Sequence, residues 1–152
     1  MLLTGCGGGI KNSFNWEIDD FKSINHEGEE TRLSDFKGEV LIVDFIFTRC
    51  ATVCIPMTAN MTELQEKLKD EKLEAEIISI SIDPDVDTPE ILKEYVLGYD
   101  GDLSNWTLLT GYAQQFIEDY AFNNFKTAVK NLKKGIKSYM EVPFFLSIKK
   151  AT

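Results

Sequence analysis

The chain has 152 residues, of which 43% are hydrophobic and 27% charged, and its formal net charge is −9. These values are typical of one globular domain with a real core, and the negative charge argues against nucleic-acid binding because phosphate backbones would be repelled. The sequence contains no apolar run long enough to span a bilayer and only three cysteines, too few for a disulfide-built scaffold.

The N-terminal segment, residues 1–13, is predicted to contain a lipidation signal and a flexible tether. Residues 3–6 read Leu-Thr-Gly-Cys, which resembles a bacterial lipobox, where cleavage leaves Cys6 to be lipidated, and the glycines that follow suit a flexible tether. The basic and apolar parts of a full signal peptide are missing, which indicates a misplaced start or a truncated sequence. The alternative is an ordinary N-terminus with a chance Gly-Cys. We expect residues 14–152 to form the domain, outside the cytoplasm and anchored to the bacterial membrane.

Strands and turns are predicted ahead of the cysteine pair. Residues 14–18 alternate apolar and polar side chains, which suggests a first strand. The sequence Asn-His-Glu-Gly at 25–28 is typical of a hairpin turn, and His26 is expected to be a solvated residue of it. Residues 34–38 indicate a short helical turn closed by glycine. The nearly continuous apolar stretch at 40–47 predicts a central buried strand.

Helices and strands are predicted to alternate after the cysteine pair. They are a helix over 56–69, a strand over 77–82, a helix over 89–99, a strand over 106–109, a helix over 112–123 and a strand over 144–148. Thr88 can cap the second of these helices, and Pro89 suits the first position of that helix. This alternation implies an α/β domain with a mostly parallel sheet, helices on both faces and a thioredoxin-like layout.

Cys50 and Cys54 are the candidate reactive residues. They follow the predicted central strand where a helix begins, and open α/β sheets place functional sites at that edge. The first amides of a helix favour thiolate over thiol, and a thiolate is both a nucleophile in disulfide exchange and a soft ligand for Cu(I). Spaced one helical turn apart, the two sulfurs can close a disulfide or bind one metal ion. An inert disulfide or a buried apolar pair is the alternative.

Three segments resemble signatures of the Sco/SenC family. They are FIFTRCATVCIPMT at 45–58, SIDPDVDTP at 81–89 and NWTLLTG at 105–111. The resemblance implies a membrane-tethered thioredoxin-fold protein that binds copper, as Cu(I) or Cu(II), and assists assembly of the copper A centre of cytochrome c oxidase. The implied partners are that oxidase subunit and the membrane. The resemblance also leaves open a thiol-disulfide reductant of the subunit's cysteines.

The resemblance also implies roles for individual residues. Cys50 and Cys54 would be two sulfur ligands, with Asp83 near the copper; the alternative for Asp83 is a turn residue ahead of a helix. Family members often have proline directly after the second cysteine, whereas here Ile55 precedes Pro56, so helix entry is expected to differ. For a reductant, Cys50 is expected to be the more exposed, attacking sulfur and Cys54 the resolving one. We expect a monomer.

Met140 stands where the resemblance implies a third ligand, a histidine. One explanation is that the tail from about Gly135 is out of frame, since a shifted reading of permitted codons restores a histidine followed by a strand. The others are that Met140 packs at the edge of the core or that its thioether is itself a Cu(I) ligand. The family fold also implies a final strand and C-terminal helix, which do not occur before Thr152. An inactive, C-terminally incomplete product is therefore the remaining functional alternative.

Overall fold

A computed structural model describes residues 17–50, 54–130, 139–140 and 146–149, with the backbone alone described at 54, 139–140 and 146–149. The strands are β1 (Lys22–Asn25), β2 (Glu30–Arg32), β3 (Val40–Ile46), β4 (Glu76–Ser81), β5 (Trp106–Thr110), β6 (Val129–Lys130), β7 (Tyr139–Met140) and β8 (Leu146–Lys149). The helices are α1 (Cys54–Asp70), α2 (Pro89–Leu97) and α3 (Gln114–Phe125), and a 3₁₀ turn covers Leu33–Phe36.

The main sheet has six strands in the order β2-β1-β5-β4-β3-β8. Strands β3, β4 and β5 are parallel, as the sequence predicted. The flanking pairs, β1 with β5 and β3 with β8, are antiparallel, so the expectation of a mostly parallel sheet is wrong at both sides. The reason lies in the connections: β6 and β7 form a separate hairpin between α3 and β8, so β8 is not reached through a single crossover helix.

Alternate residues of the parallel strands supply two separate cores, because successive side chains of a strand point to opposite faces. On one face, Val43, Phe45, Ile78 and Ile80 pack with Ile117, Tyr120 and Ala121 of α3. On the other, Ile46, Ile77, Trp106 and Leu108 pack with Met61 of α1 and with Leu92 and Val96 of α2. Each fully buried aliphatic side chain contributes about 1.5–3 kcal/mol relative to exposure. The sheet is therefore held from both faces, and its edges are where loops can carry a site.

The predicted helices and most predicted strands are confirmed within a few residues. Thr88 caps α2 by accepting a hydrogen bond from the backbone N–H of Ile91 at 3.4 Å, and Pro89 is the first residue of that helix. Helix α1 begins at Cys54 rather than at the predicted Pro56. The proline therefore lies in the first turn, where its missing N–H would have had no partner within the helix.

The strand predicted at 14–18 falls only partly within the described residues. Residues 14–16 lie outside the described part of the chain, and Glu17 and Ile18 belong to no strand. The residue that follows, Asp19, is attached to α3: Tyr120 donates its hydroxyl to the Asp19 carbonyl at 2.7 Å, and the Asp19 N–H donates to Asn124 Oδ1 at 2.8 Å. Side chains of α3 thus bind both backbone polar groups of Asp19.

The expectation that His26 is a solvated turn residue is wrong. The hairpin turn is present, but His26 is only 9% exposed, and its Nδ1 accepts a hydrogen bond from the Leu108 N–H at 3.2 Å. Burial lowers the pKa of His26, although the carboxylate of Glu27, 3.6 Å from Nε2, partly opposes that shift. The turn folds back against β5 because β1 pairs with that strand.

Candidate functional site

The loop that follows β3 carries the first cysteine. A turn closes at Cys50, whose N–H donates to the carbonyl of Phe47 at 3.3 Å. Cys50 is 7% exposed and belongs to the same core as Phe45 and Phe47. Cys50 is thus buried here, and a buried sulfur is poorly accessible to another thiol or disulfide. The expectation that Cys50 is more exposed than Cys54 and attacks remains a prediction, because the Cys54 side chain lies outside the described residues.

The second cysteine, Cys54, begins helix α1. The first four N–H groups of a helix have no partner within it and give that end a partial positive charge, which favours a thiolate placed there. Residues 51–53 and the side chain of Cys54 lie outside the described residues, and so does the expected sulfur-to-sulfur contact. The backbone nevertheless places both cysteines at the carboxyl edge of the sheet, as the sequence predicted.

Residues 47–53, between β3 and α1, are called the cysteine loop. Asp83 contacts this loop through Arg49, the residue directly before Cys50. The guanidinium donates to Asp83 Oδ2 from Nη2 at 2.6 Å and from Nε at 3.1 Å. The side chain of Asp83 is 1% exposed, whereas that of Arg49 is 59% exposed. Asp83 raises the pKa of Arg49, so the guanidinium stays charged. Asp83 is also a turn residue, as the alternative expectation had it, since its carbonyl accepts from the N–H of Val86 at 3.0 Å.

Asp87 also binds the cysteine loop, a role that the sequence pattern did not indicate. Its carboxylate accepts from Thr48 Oγ1 at 2.6 Å, from Ser81 Oγ at 2.7 Å and from the Thr48 N–H at 3.3 Å. Asp87 is 0% exposed, and burial raises its pKa while the bonds from Thr48 and Ser81 lower it. The available signal was a second aspartate one helical turn after Asp83, between a buried strand and a capped helix. We call Thr48, Arg49, Asp83 and Asp87 the acidic clamp.

A third buried carboxylate, that of Asp44, lies within the sheet. Ser79 Oγ donates to Asp44 Oδ1, and Trp106 Nε1 donates to Ser79 Oγ at 2.9 Å. Asp44 is 4% exposed, and burial raises its pKa to about 6. The apolar pattern of the strand did not reveal this side chain. Its partners belong to β4 and β5 rather than to the cysteine loop, so it is a natural control for the acidic clamp.

The backbone of Met140 pairs with Val129 in the β6–β7 hairpin. Val129 is 2% exposed and belongs to the core that also contains Cys50. The Met140 side chain, the tail at Gly135 and the proposed lipidation site Cys6 lie outside the described residues, so the expectations for them remain predictions.

The donor chemistry of the two cysteines fits a soft cation such as Cu(I). Among the described residues, no group of three or more His, Cys, Asp and Glu side chains is arranged to hold a metal ion. In the same part of the chain, none of the helices has the length and apolar character needed to cross a bilayer.

Comparison with known proteins gives consistent matches. The family model for SCO1/SenC matches residues 12–142. The SCO1 protein homolog of Bacillus subtilis strain 168 is 47% identical over 131 residues, which cover 86% of this chain and 68% of that protein. The family match extends beyond Gly135 and includes the position of Met140.

Solved structures show the same relationship. A SCO1/SenC family lipoprotein from Bacillus anthracis strain Ames is 40% identical, with a TM-score of 0.83 over 88% of this chain and 79% of that one. BsSco, a cytochrome c oxidase assembly protein with an identified disulfide switch, is 42% identical. Its TM-score is 0.82, over 91% of this chain and 80% of that one. Arabidopsis thaliana ScoI with copper bound is 20% identical and shares the fold, with a TM-score of 0.69 over 85% and 80%. The chain belongs to the SCO1/SenC family and has its thioredoxin-like α/β fold.

Proposed function

We propose that this chain is a metallochaperone that binds copper through Cys50 and Cys54 and assists assembly of the copper A centre of cytochrome c oxidase. The observation that carries the proposal is the position of the two cysteines, at the carboxyl edge of the sheet and the start of α1. Membership of a family that includes copper-bound proteins and cytochrome c oxidase assembly proteins supports it. Copper is here the cargo of the protein.

The residues around the cysteines suit the binding of a monovalent soft cation. Two thiolates favour Cu(I) over harder ions, and the positive end of α1 stabilises the thiolate form of a nearby cysteine. Asp83 adds a buried carboxylate next to the loop, already paired with Arg49. We propose that Asp83 influences the copper site through that pairing.

The test is a competition titration of the reduced protein with a Cu(I)-specific chelator, in the absence of oxygen. All variants carry Cys6→Ser, so that only the pair under test contributes thiols. We expect one Cu(I) per chain in this parent and its loss in Cys50→Ser/Cys54→Ser. Equal, weak binding by both proteins would rule out the metallochaperone.

Met140 is tested in the same titration. If its thioether is a ligand, Met140→Leu weakens Cu(I) binding; if it packs in the core, Met140→Leu leaves binding unchanged. Met140→His supplies the imidazole that the family resemblance implies and is expected to add Cu(II) binding, which thiolate and thioether ligands support poorly. The out-of-frame explanation for residues after Gly135 is decided by the nucleotide sequence.

A second candidate function is reduction of the disulfide of the oxidase subunit's copper A cysteines. The observation in its favour is the disulfide switch identified in BsSco, which is 42% identical to this chain. In this reaction the dithiol loses two electrons and two protons, which the target disulfide gains. A peptide containing that disulfide should be reduced by the parent protein and not by Cys54→Ser, which stops at a mixed disulfide. No reduction by the parent would rule out this function.

The location and the partners form a further part of the proposal. We propose that Cys6 is lipidated, that the domain is held outside the cytoplasm of a bacterium, and that it meets the oxidase subunit as a monomer. A relative from Bacillus anthracis is a lipoprotein, which supports the anchor. With a complete lipoprotein signal peptide placed ahead of Leu3, the chain should incorporate labelled palmitate in a bacterial host, and its Cys6→Ser variant should not. Incorporation by neither chain would contradict the anchor, and a dimeric mass in solution would contradict the monomer.

A further inference from the structure

The two residues before Cys50 are each bound to a buried carboxylate of another loop. Thr48 donates its hydroxyl to Asp87 at 2.6 Å, and Arg49 donates from Nη2 to Asp83 at 2.6 Å. Both aspartates lie in the connection between β4 and α2, which is distant in sequence from the cysteine loop. The position of Cys50 therefore depends on contacts outside its own loop.

Asp87 is itself fixed in place. Ser81, at the end of β4, donates its hydroxyl to Asp87 Oδ2 at 2.7 Å, and Thr110, at the end of β5, donates to the Asp87 carbonyl at 2.7 Å. The side chain and backbone of Asp87 are thus bound to two strands of the rigid sheet. A movement of the cysteine loop would break the bonds of Thr48 before it moved Asp87.

The two halves of the acidic clamp differ in strength. Arg49 is largely exposed, so water and salt screen its pairing with Asp83. Asp87 is 0% exposed, and hydrogen bonds to a carboxylate in such a place are strong because no water replaces them when they break. The contact between Thr48 and Asp87 is therefore the stronger restraint on the loop.

Cys50 is buried in the conformation that these contacts hold, at 7% exposure. Any exchange of its sulfur with another protein, for copper or for a disulfide, requires that the sulfur become accessible. The loop must therefore leave this conformation at least briefly.

We propose that Asp87 is a positioning residue that holds Cys50 in its buried place through Thr48, and that Cys50 becomes accessible when the contact between Thr48 and Asp87 opens. The inference rests on the proposed function only in treating Cys50 as a sulfur that reacts. Asp87 does not touch the sulfur or its cargo in this account. It sets how often the sulfur can be reached.

The test measures the alkylation rate of Cys50 by iodoacetamide in the full-length Cys6→Ser/Cys54→Ser chain, where Cys50 is the only thiol. Thr48→Val removes the hydroxyl donor with little change of shape, and Asp87→Asn removes the charge of the acceptor. We expect each to raise the alkylation rate roughly tenfold, because each weakens a hydrogen bond to a charged group that stabilises only the conformation in which Cys50 is buried. Thr48→Ser keeps the hydroxyl and is expected to restore the parent rate within about twofold.

The matched control is Ser79→Ala. It removes a hydroxyl donor from Asp44, a buried carboxylate within the sheet whose partner Ser79 lies outside the cysteine loop. We expect the Ser79→Ala rate to stay within about twofold of the parent, even though the variant is less stable. If Ser79→Ala accelerates alkylation as much as Thr48→Val does, the effect is general destabilisation and the proposal is overturned. It is equally overturned if Thr48→Val and Asp87→Asn leave the rate unchanged.

This assay contains no copper and no target disulfide. A protein that binds no Cu(I) but shows the expected pattern of rates would lose its proposed function and keep the positioning role of Asp87. The reverse pattern, with Cu(I) binding intact and rates unchanged, would remove only the positioning role.

Discussion

Loops are attached in different ways at the two edges of the central sheet, where the parallel strands begin (the amino edge) and where they end (the carboxyl edge). At the amino edge, the neutral amide of Gln65 donates to the Asp102 carbonyl at 2.6 Å and accepts from the Asp102 N–H at 2.9 Å. Gln65 also lines a cavity of about 500 Å³, together with Glu39 and Glu76. At the carboxyl edge, the buried carboxylate of Asp87 takes the corresponding role and binds the cysteine loop.

The comparison contrasts a neutral and a charged way of fixing a loop at an edge of the sheet. A neutral side chain such as Gln65 is enough to join a helix to a loop, and burying it requires less desolvation than burying a carboxylate. Asp83 and Asp87 instead join the connection between β4 and α2 to the loop that carries Cys50. A buried carboxylate thus binds the loop that carries Cys50 at one edge, whereas a neutral amide joins α1 to a loop at the other.

The largest expected contrast is between Asp87→Ala and Gln65→Ala. Asp87→Ala leaves the hydroxyls of Thr48 and Ser81 without their acceptor in a dry place, which we expect to cost about 3 kcal/mol of unfolding free energy. Gln65→Ala should cost about 1 kcal/mol, because water in the adjoining cavity can replace the lost amide. Urea unfolding at pH 7 measures both. Equal losses would show that the two edges do not differ in this way.

The next effect concerns Asp44 and depends on pH. Burial raises its pKa to about 6 from 3.8 in the unfolded chain, so the folded state keeps its proton longer as the pH rises. Its contribution to stability is therefore complete below about pH 4 and is lost by about pH 6.

Asp44→Asn removes the cost of burying this charge. We expect it to raise the unfolding free energy at pH 8 by about 2 kcal/mol, and to have little effect at pH 4. In a Trp16→Phe background, the fluorescence of Trp106, which bonds to Ser79, reports the titration directly. A stability difference between the two proteins that does not change with pH would contradict the assigned pKa.

A smaller contrast separates two ion pairs of similar length. Arg49→Gln leaves the buried carboxylate of Asp83 without its cation, and after allowance for solvent screening we expect a loss of about 1 kcal/mol. Lys67 pairs with Glu63 at 2.6 Å within α1, but both side chains are more than half exposed. Lys67→Gln should therefore have no measurable effect on urea unfolding. A measurable loss in Lys67→Gln would show that the geometry of an ion pair matters more than its burial.

The smallest expected effect belongs to His26. Its pKa is lowered from 6.5 by burial, so the unfolded chain binds the proton more readily and stability is lost as the pH falls through 6.5. The change of stability with pH therefore has the opposite sign to that caused by Asp44, and the negative charge of Glu27 reduces the shift in the His26 pKa. In the Asp44→Asn protein, His26→Asn should reduce the change of unfolding free energy with pH between pH 7.5 and about pH 5. An unchanged slope would place the His26 pKa at its ordinary value.

The sequence predicts what depends on local periodicity, and misses what depends on distant partners. The apolar period identified the parallel strands, and the position of Cys50 and Cys54 at their carboxyl edge followed from the order of elements. The partner of Asp87, Thr48, is 39 residues away, and the partner of His26, Leu108, is 82 residues away. No local pattern records such pairs. The buried Asp44 was hidden for a related reason, since one carboxylate scarcely alters the pattern of an apolar strand.

We propose that the two cysteines at the carboxyl edge together bind copper. X-ray absorption at the copper edge of the Cu(I)-loaded Cys6→Ser chain tests it most directly, because sulfur ligands are distinguished there from nitrogen and oxygen. We expect at least two sulfur ligands, one of which is lost in Cys50→Ser and one in Cys54→Ser. A spectrum without sulfur ligands, or one that neither substitution changes, would contradict the account.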